Sequence, residues 1–115
     1  MILSAIKQTV KRHLYPDVLH EGEVAPDWVL TGHDGCTYAS QGAWSILIFY
    51  PSDHTPACTA QLAAFNEFLP NFLEHDCHLY GVNPGDQESH AAFAAQLGLR
   101  YPLLVDHGGR VAKQY

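Results

Sequence analysis

The sequence has little charge, few basic residues and no long apolar run. Charged residues make up 16% of the 115 positions, and six Lys or Arg face 12 Asp or Glu, which gives a formal net charge of -6. This balance argues against nucleic acid as a partner. No stretch of about 18 apolar residues could cross a membrane, and we expect no signal peptide. With 47% hydrophobic residues, a single globular domain with one buried core is expected.

Cysteine is also scarce, and its pattern excludes two classes of protein. The three cysteines are Cys36, Cys58 and Cys77. An odd number with no C-x-x-C pair disfavours a secreted disulfide framework and a thioredoxin-type oxidoreductase. We therefore expect reduced thiols in the cytoplasm, and no cofactor is expected.

The N-terminal segment differs in pattern from the rest of the chain. Apolar residues recur there at helical spacing, at Leu3, Ile6, Val10 and Leu14. We interpret 1–20 as an amphipathic helical extension and 21–115 as the folded domain. Packing of this extension on the domain or on a second subunit is favoured over a membrane surface, because one short stripe anchors weakly.

From residue 21 onwards, strand and helix patterns alternate, which predicts an α/β fold with a parallel sheet and right-handed crossovers. The run Trp44–Tyr50 is apolar throughout, as in a strand buried on both faces. Helical periodicity over Thr55–Glu74 must be interrupted at Pro70. The other predicted elements are a hairpin with strand Trp28–Leu30 and turn His33–Gly35, a strand Cys77–Val82, a helix Glu88–Leu97 closed by Gly98, a strand Tyr101–Val105, a turn Asp106–Gly109 and a helix from Arg110.

The junction between the apolar strand and the following helix carries the candidate chemistry. Thr55 and Pro56 form a helix start signal, which places Cys58 in the first turn. The helix end favours a thiolate, and its N–H groups could hold a peroxide oxygen as charge develops. These arguments alone leave an inert packing role for Cys58 equally open.

Pro51, Thr55 and Cys58 form the pattern Pro-x-x-x-Thr-x-x-Cys, which resembles the active-site motif of the peroxiredoxins. The flanking segments are similar to the bacterioferritin-comigratory (PrxQ-like) branch of the AhpC/TSA-type enzymes, from about Gly22 to the end. These segments are Ala25–Asp27, Asp34–Gly35, Gly81–Asn83, Ser89–Phe93 and Pro102–Asp106. The resemblance implies a thioredoxin-like fold and a thiol-dependent peroxidase.

The resemblance also implies roles for the motif residues. Cys58 would attack the peroxide O–O bond and become a sulfenic acid. Thr55 would hydrogen bond the thiolate and the peroxide, or only cap the helix, and Pro51 would shield the thiolate from water, or only end the strand. Hydrogen peroxide or an organic hydroperoxide would be the substrate. Thioredoxin, glutaredoxin or a small thiol would return the electrons, and a homodimer is expected by analogy.

Two positions depart from the family pattern. Ala63 stands where the branch often has a resolving cysteine. An outside thiol, Cys77 or Cys36 would therefore have to resolve the oxidised Cys58. For both cysteines, however, a buried or incidental thiol without a role in catalysis is the favoured interpretation. Arg100 and Arg110 do not match the family's catalytic arginine, which lies on a later strand. The closing strands and final helix are expected to be absent, which would expose a sheet edge. The alternative function is therefore a non-catalytic or partner-completed interaction module.

Histidines near the cysteines offer two weaker candidates. His75, Cys77 and His78 could bind a metal, but alternation along a strand separates His78 from the other two, so no metal site is expected. His54 could act as a base or cation beside Cys58, although an exposed loop histidine is the favoured interpretation.

Overall fold

The structure, a computed structural model, describes residues 18–40 and 42–115. The predicted N-terminal extension, 1–20, lies mostly outside the described residues, so the helix and the division at residue 20 stay predictions. Among the described residues, no helix combines the length and apolarity needed to cross a membrane.

The elements follow the predicted alternation from residue 29 to the end. The strands are β1 (Val29–Gly32), β2 (Thr37–Ala39), β3 (Trp44–Phe49), β4 (Cys77–Asn83) and β5 (Leu103–Val105). The helices are α1 (Pro56–Glu67), α2 (Leu69–Glu74), α3 (Gln87–Leu97) and α4 (Arg110–Gln114), and a 3₁₀ turn at His107–Gly109 precedes α4. The last strand is two residues shorter at its start than Tyr101–Val105, because Tyr101 and Pro102 lie before the sheet pairing begins.

The sheet contains both the predicted parallel strands and the predicted hairpin. The five strands lie in the order β2-β1-β5-β4-β3. Strands β3, β4 and β5 are parallel, but β1 runs antiparallel to both β2 and β5. The tight hairpin turn forces β2 to run against β1, whereas each parallel pair is joined through a helical crossover. The sheet is therefore mixed.

The expectation that Trp44–Tyr50 is buried on both faces is wrong. Among the described residues, β3 pairs only with β4 and forms an edge of the sheet. Trp44 is 79% exposed, while Ile48 in the same strand is buried. In the described part of the chain, no strand pairs with the outer side of β3.

Two apolar clusters cover the two faces of the sheet. The cluster beneath α1, α2 and α3 contains Cys58, Leu62 and Phe93, and the other, beneath α4, contains Leu104 and Val111. Neighbouring residues of β5 alternate between them, with Leu103 in the first cluster, as the two-residue repeat of a strand requires. Cys58 therefore belongs to the face covered by α1 and α3.

Two predicted helix boundaries are confirmed. Residues 55–74 form two helices separated at Phe68. Pro70 lies in the first turn of α2, where N–H groups make no hydrogen bond within the helix and proline is therefore tolerated. Gly98 ends α3 with φ of 61°, a left-handed conformation that favours glycine.

Candidate active site

Cys58 lies at the N-terminal end of α1, directly beyond the carboxyl end of β3. It is the third residue of the 12-residue helix and is 3% exposed. The Thr59 N–H donates to the Thr55 carbonyl at 2.9 Å, so the first turn is closed. The first-turn N–H groups of a helix lack helical acceptors, and the dipole there stabilises negative charge. The position suits an anionic sulfur or a bound oxygen that gains charge.

The hydroxyl of Thr55 does not cap the helix, which corrects one of its two expected roles. Thr55 is the N-cap residue by backbone conformation, but its side chain accepts no helix N–H. Instead, Oγ1 donates to the Ser52 carbonyl at 3.4 Å, a long hydrogen bond within the loop. The hydroxyl is therefore held weakly and leaves the N–H groups of the first turn unoccupied by a side-chain cap.

Pro51 begins the loop that joins β3 to α1. It is exposed and follows Tyr50, whose N–H still donates to the Val82 carbonyl of β4. Sheet pairing stops at Pro51, as expected for a residue without an N–H. Its role in shielding the sulfur stays a prediction.

A buried polar network anchors the middle of this loop. The Tyr50 hydroxyl donates to Asp53 Oδ1 at 2.8 Å, and the Ser89 hydroxyl donates to Asp53 Oδ2 at 2.7 Å. His90 Nδ1 lies 2.7 Å from the same Oδ2. The side chain of His90 is fully buried and that of Asp53 is 6% exposed. Tyr50, which follows β3, and two residues of α3 thus converge on one loop carboxylate.

The network continues into β4 through Asn83. His90 Nε2 lies 3.1 Å from the Asn83 carbonyl oxygen. The Asn83 side-chain amide donates to the Tyr50 carbonyl at 2.7 Å, and its oxygen accepts from the Gly85 N–H at 2.7 Å. The carboxyl ends of β3 and β4 and the start of α3 are therefore tied together beside Cys58.

Burial and hydrogen bonding act in opposite directions on the Asp53 carboxyl. Burial alone would raise its pKa, but the hydrogen bonds from Ser89, His90 and Tyr50 outweigh it and hold the pKa below its ordinary value of 3.8. For Tyr50, burial and then the bond to Asp53 both raise the pKa far above the usual phenol value. At neutral pH the site therefore contains an ionised carboxylate and an intact phenol.

The structure separates the other two cysteines from Cys58. Cys77 pairs with Trp44 at the start of β3, so about 16 Å of strand separates it from the end where Cys58 lies. Cys36 is exposed in the hairpin, and β1 is three strand spacings, about 14 Å, from β3. A disulfide needs Cα atoms within about 7 Å. Neither cysteine can bond to Cys58 within this conformation of one chain.

The arginines of the described residues also lie away from the loop. Arg100 donates to the carbonyl and side-chain oxygens of Asn66, near the C-terminal end of α1 and about 12 Å along the helix from Cys58. Arg110 begins α4 on the other face of the sheet. Neither occupies the position expected of a catalytic arginine, as the sequence predicted.

The weaker histidine candidates do not form a second site. His54 is exposed, hydrogen bonds to Gln96 Oε1 at 3.0 Å and packs its ring 4.9 Å from that of Phe93. His78 faces Asp76 at 3.8 Å. Within 18–40 and 42–115, no three metal-ligating side chains come together.

Sequence reasoning missed the roles of Asp53 and His90. A signal for His90 is present in the printed sequence, because it shares a helical stripe with Phe93, Ala94 and Leu97, where a polar residue faces the core. Polar residues on such a face need partners. The partner itself, a loop carboxylate 37 positions earlier, has no local sequence signal.

The comparisons with known proteins decide the family. The family model described as AhpC/TSA matches residues 22–115. This chain belongs to the AhpC/TSA family. It is 35% identical over 100 residues to peroxiredoxin Q, chloroplastic, of Arabidopsis thaliana, and 36% identical over 97 residues to peroxiredoxin Bcp of Bacillus subtilis. These alignments cover 84% and 82% of this chain.

Solved structures of AhpC/TSA relatives show the same fold. The bacterioferritin comigratory protein of Xanthomonas campestris matches with a TM-score of 0.73 at 29% identity, over 76% of this chain and 57% of that one. BcpB of Mycobacterium tuberculosis matches with a TM-score of 0.75 at 30% identity, over 82% of this chain and 64% of that one. The expected thioredoxin-like peroxiredoxin fold is confirmed.

The chain spans only part of the length of its relatives. It aligns with 46% of the Arabidopsis protein and 62% of the Bacillus protein. The activity, substrates and partners of the longer proteins therefore come to this chain only as proposals.

Proposed function

We propose that this chain is a thiol-dependent peroxidase whose reacting atom is Cys58 Sγ. The observation that carries the proposal is the position of this thiol: it is buried in the first turn of α1, three residues after Thr55, whose hydroxyl does not cap the helix. Membership of the AhpC/TSA family supports the same chemistry. Pro51 is proposed to shield the sulfur from water.

The proposed reaction has one oxidation step. The Cys58 thiolate attacks one oxygen of hydrogen peroxide or an organic hydroperoxide, an S–O bond forms and the O–O bond breaks. The departing oxygen takes a proton and leaves as water or an alcohol, and Cys58 becomes a sulfenic acid. The Thr55 hydroxyl and the first-turn N–H groups hold the peroxide oxygens while charge shifts between them.

The reductant in this proposal is an external thiol. Its sulfur attacks the Cys58 sulfenic acid and releases water, and a second thiol then resolves the mixed disulfide. The distances to Cys77 and Cys36 favour this route over an internal disulfide within one chain. Thioredoxin, glutaredoxin and a small thiol remain the proposed classes. In a homodimer, a cysteine of the second copy could take the same part.

The compartment is proposed as the cytoplasm, from the three unpaired cysteines. Relatives in this family include proteins named chloroplastic as well as a bacterial one.

Intact-mass analysis tests the proposed function. The reduced chain is mixed with stoichiometric hydrogen peroxide, quenched after a short interval and compared with Cys58→Ser and with the matched control Cys77→Ser. We expect rapid gain of one oxygen in the wild type and in Cys77→Ser, and none in Cys58→Ser. Equal, slow oxidation of all three proteins would refute the peroxidase and favour the interaction module.

A further inference from the structure

The buried pair of Asp53 and His90 has no part in the chemistry proposed above. Asp53 lies in the loop between Pro51 and Thr55, whereas His90 belongs to the first half of α3. Their side chains are 6% and 0% exposed and approach to 2.7 Å. Burying two ionisable groups is costly unless they are paired and hydrogen bonded. Such a pair next to a reactive loop calls for an explanation.

The two nitrogens of the His90 ring indicate its charge. Nδ1 faces a carboxylate oxygen of Asp53, and Nε2 faces the carbonyl oxygen of Asn83 at 3.1 Å. Both partners are acceptors, and a neutral imidazole has only one N–H to donate. An imidazolium would donate to both acceptors, with Asp53 as its countercharge. Asp53 is suited to that state because it also accepts from Ser89 and Tyr50.

The pair also determines where the loop lies. Asp53 is two residues before Thr55 and five before Cys58, and its carboxylate is bound to two successive residues of α3. A second contact between this loop and α3 joins His54 to Gln96 at 3.0 Å, but both residues are exposed. Exposed contacts contribute little to stability, whereas a buried charged pair resists displacement.

We propose that the ionised Asp53–His90 pair holds the loop against α3. In this position, the Thr55 hydroxyl and the Cys58 thiol can contact the same peroxide molecule. Asp53 and His90 are positioning residues, since their hydrogen bonds go to Tyr50, Ser89, Asn83 and each other. This inference rests on the proposed peroxidase function. It adds a requirement, an intact ion pair outside the Pro-x-x-x-Thr-x-x-Cys motif.

The test compares two reactions of the same thiol. Rate constants with hydrogen peroxide and with iodoacetamide are measured for the wild type, Asp53→Asn, His90→Gln and the matched control Gln96→Ala, all with Cys36 and Cys77 replaced by serine. In the two pair variants we expect the peroxide rate to fall at least about tenfold, because reaction depends on alignment. Alkylation should stay equal or rise, because the thiol becomes easier to reach. Gln96→Ala should keep both rates.

Equal changes of both rates in the pair variants, or no change, would overturn the positioning role. Circular dichroism checks that each variant is folded, because an unfolded chain loses the signal of its helices and strands. If His90→Gln fails to fold, Ser89→Ala removes one bond to the same carboxylate and should shift the ratio of the two rates in the same direction by a smaller factor. An unchanged ratio in Ser89→Ala would then count against the proposal.

Nuclear magnetic resonance of the resting protein tests the pair without any peroxide. With ¹⁵N-labelled histidine at neutral pH, we expect both ring nitrogens of His90 to carry protons, and the signature to disappear in Asp53→Asn. A neutral His90 in the wild type would overturn the ion pair. If instead the signature is present but wild-type Cys58 reacts with peroxide no faster than free cysteine, the proposed function fails while the pair stands.

Discussion

The two ends of the parallel strands β3 and β4 use their side chains differently. At the carboxyl ends, Tyr50 and Asn83 are buried and join a hydrogen-bonded network around Asp53. At the amino ends, Trp44 is 79% exposed and Cys77 is only half-buried. Both ends have a cysteine nearby, but only Cys58 lies at a helix N-terminus beside ordered polar groups. The thiol's setting, rather than its presence, distinguishes the candidate site.

The largest expected contrast is in stability, between the buried centre of the sheet and the exposed end of β3. Leu104 is fully buried near the carboxyl end of β5, so Leu104→Ala should lower the free energy of unfolding by about 3 kcal/mol. Trp44→Ala removes a larger side chain from the exposed amino end, yet it should change stability by no more than about 0.5 kcal/mol. Urea titration of the two variants measures both values. A loss of more than about 2 kcal/mol for Trp44→Ala would show that the edge of β3 is covered.

The next contrast is the acid dependence of the buried network. The pKa of Asp53 is lowered below 3.8 in the folded chain. The ionised carboxylate therefore contributes its full stabilisation at pH values above the pKa that Asp53 has in the unfolded chain. This stabilisation is lost as pH falls through the folded pKa. Asp53→Asn should cost about 2 kcal/mol at pH 7, and the difference from wild type should shrink below about pH 4. Denaturant titrations at a series of pH values measure this difference, and a gap independent of pH would contradict the ionised carboxylate.

Much of this contrast is accessible from sequence. Periodicity and helix signals located the strands, the break near Pro70, the Gly98 cap and the place of Cys58 in the first turn. The exposure of β3 could not be predicted from its sequence, because an apolar run has the same composition at an edge as in the centre of a sheet. The Asp53–His90 contact was missed because it joins residues 37 positions apart, and only the fold brings them together.

A smaller effect is expected at Thr55, where stability and reactivity should separate. Thr55→Val should change the free energy of unfolding by less than the roughly 1 kcal/mol typical of a lost cap, because the hydroxyl makes no cap hydrogen bond. The peroxide rate of Cys58 should nevertheless fall about tenfold, since one donor to the reacting oxygens is gone. Thr55→Ser keeps the hydroxyl and is the control. If Thr55→Val lost the roughly 1 kcal/mol typical of a cap, the Thr55 hydroxyl would have to cap the helix after all.

The smallest expected effect is at the other two cysteines. Cys36→Ser and Cys77→Ser should leave the first oxidation of Cys58 unchanged, because the strand spacings place both thiols more than about 10 Å from it. Stopped-flow measurement with hydrogen peroxide checks this. Non-reducing electrophoresis of oxidised chains then shows whether either thiol forms a disulfide between two copies. A slower first step in Cys77→Ser would contradict the separation of the two ends.

The most direct test of the account uses the double variant Cys36→Ser/Cys77→Ser, in which Cys58 is the remaining thiol. Its second-order rate constant with hydrogen peroxide is compared with that of free cysteine at the same pH. The account predicts a rate at least about a hundredfold higher, as expected when preorganised donors meet a reacting oxygen. A rate equal to that of free cysteine would contradict the claim that the loop and helix around Cys58 form a peroxidase site.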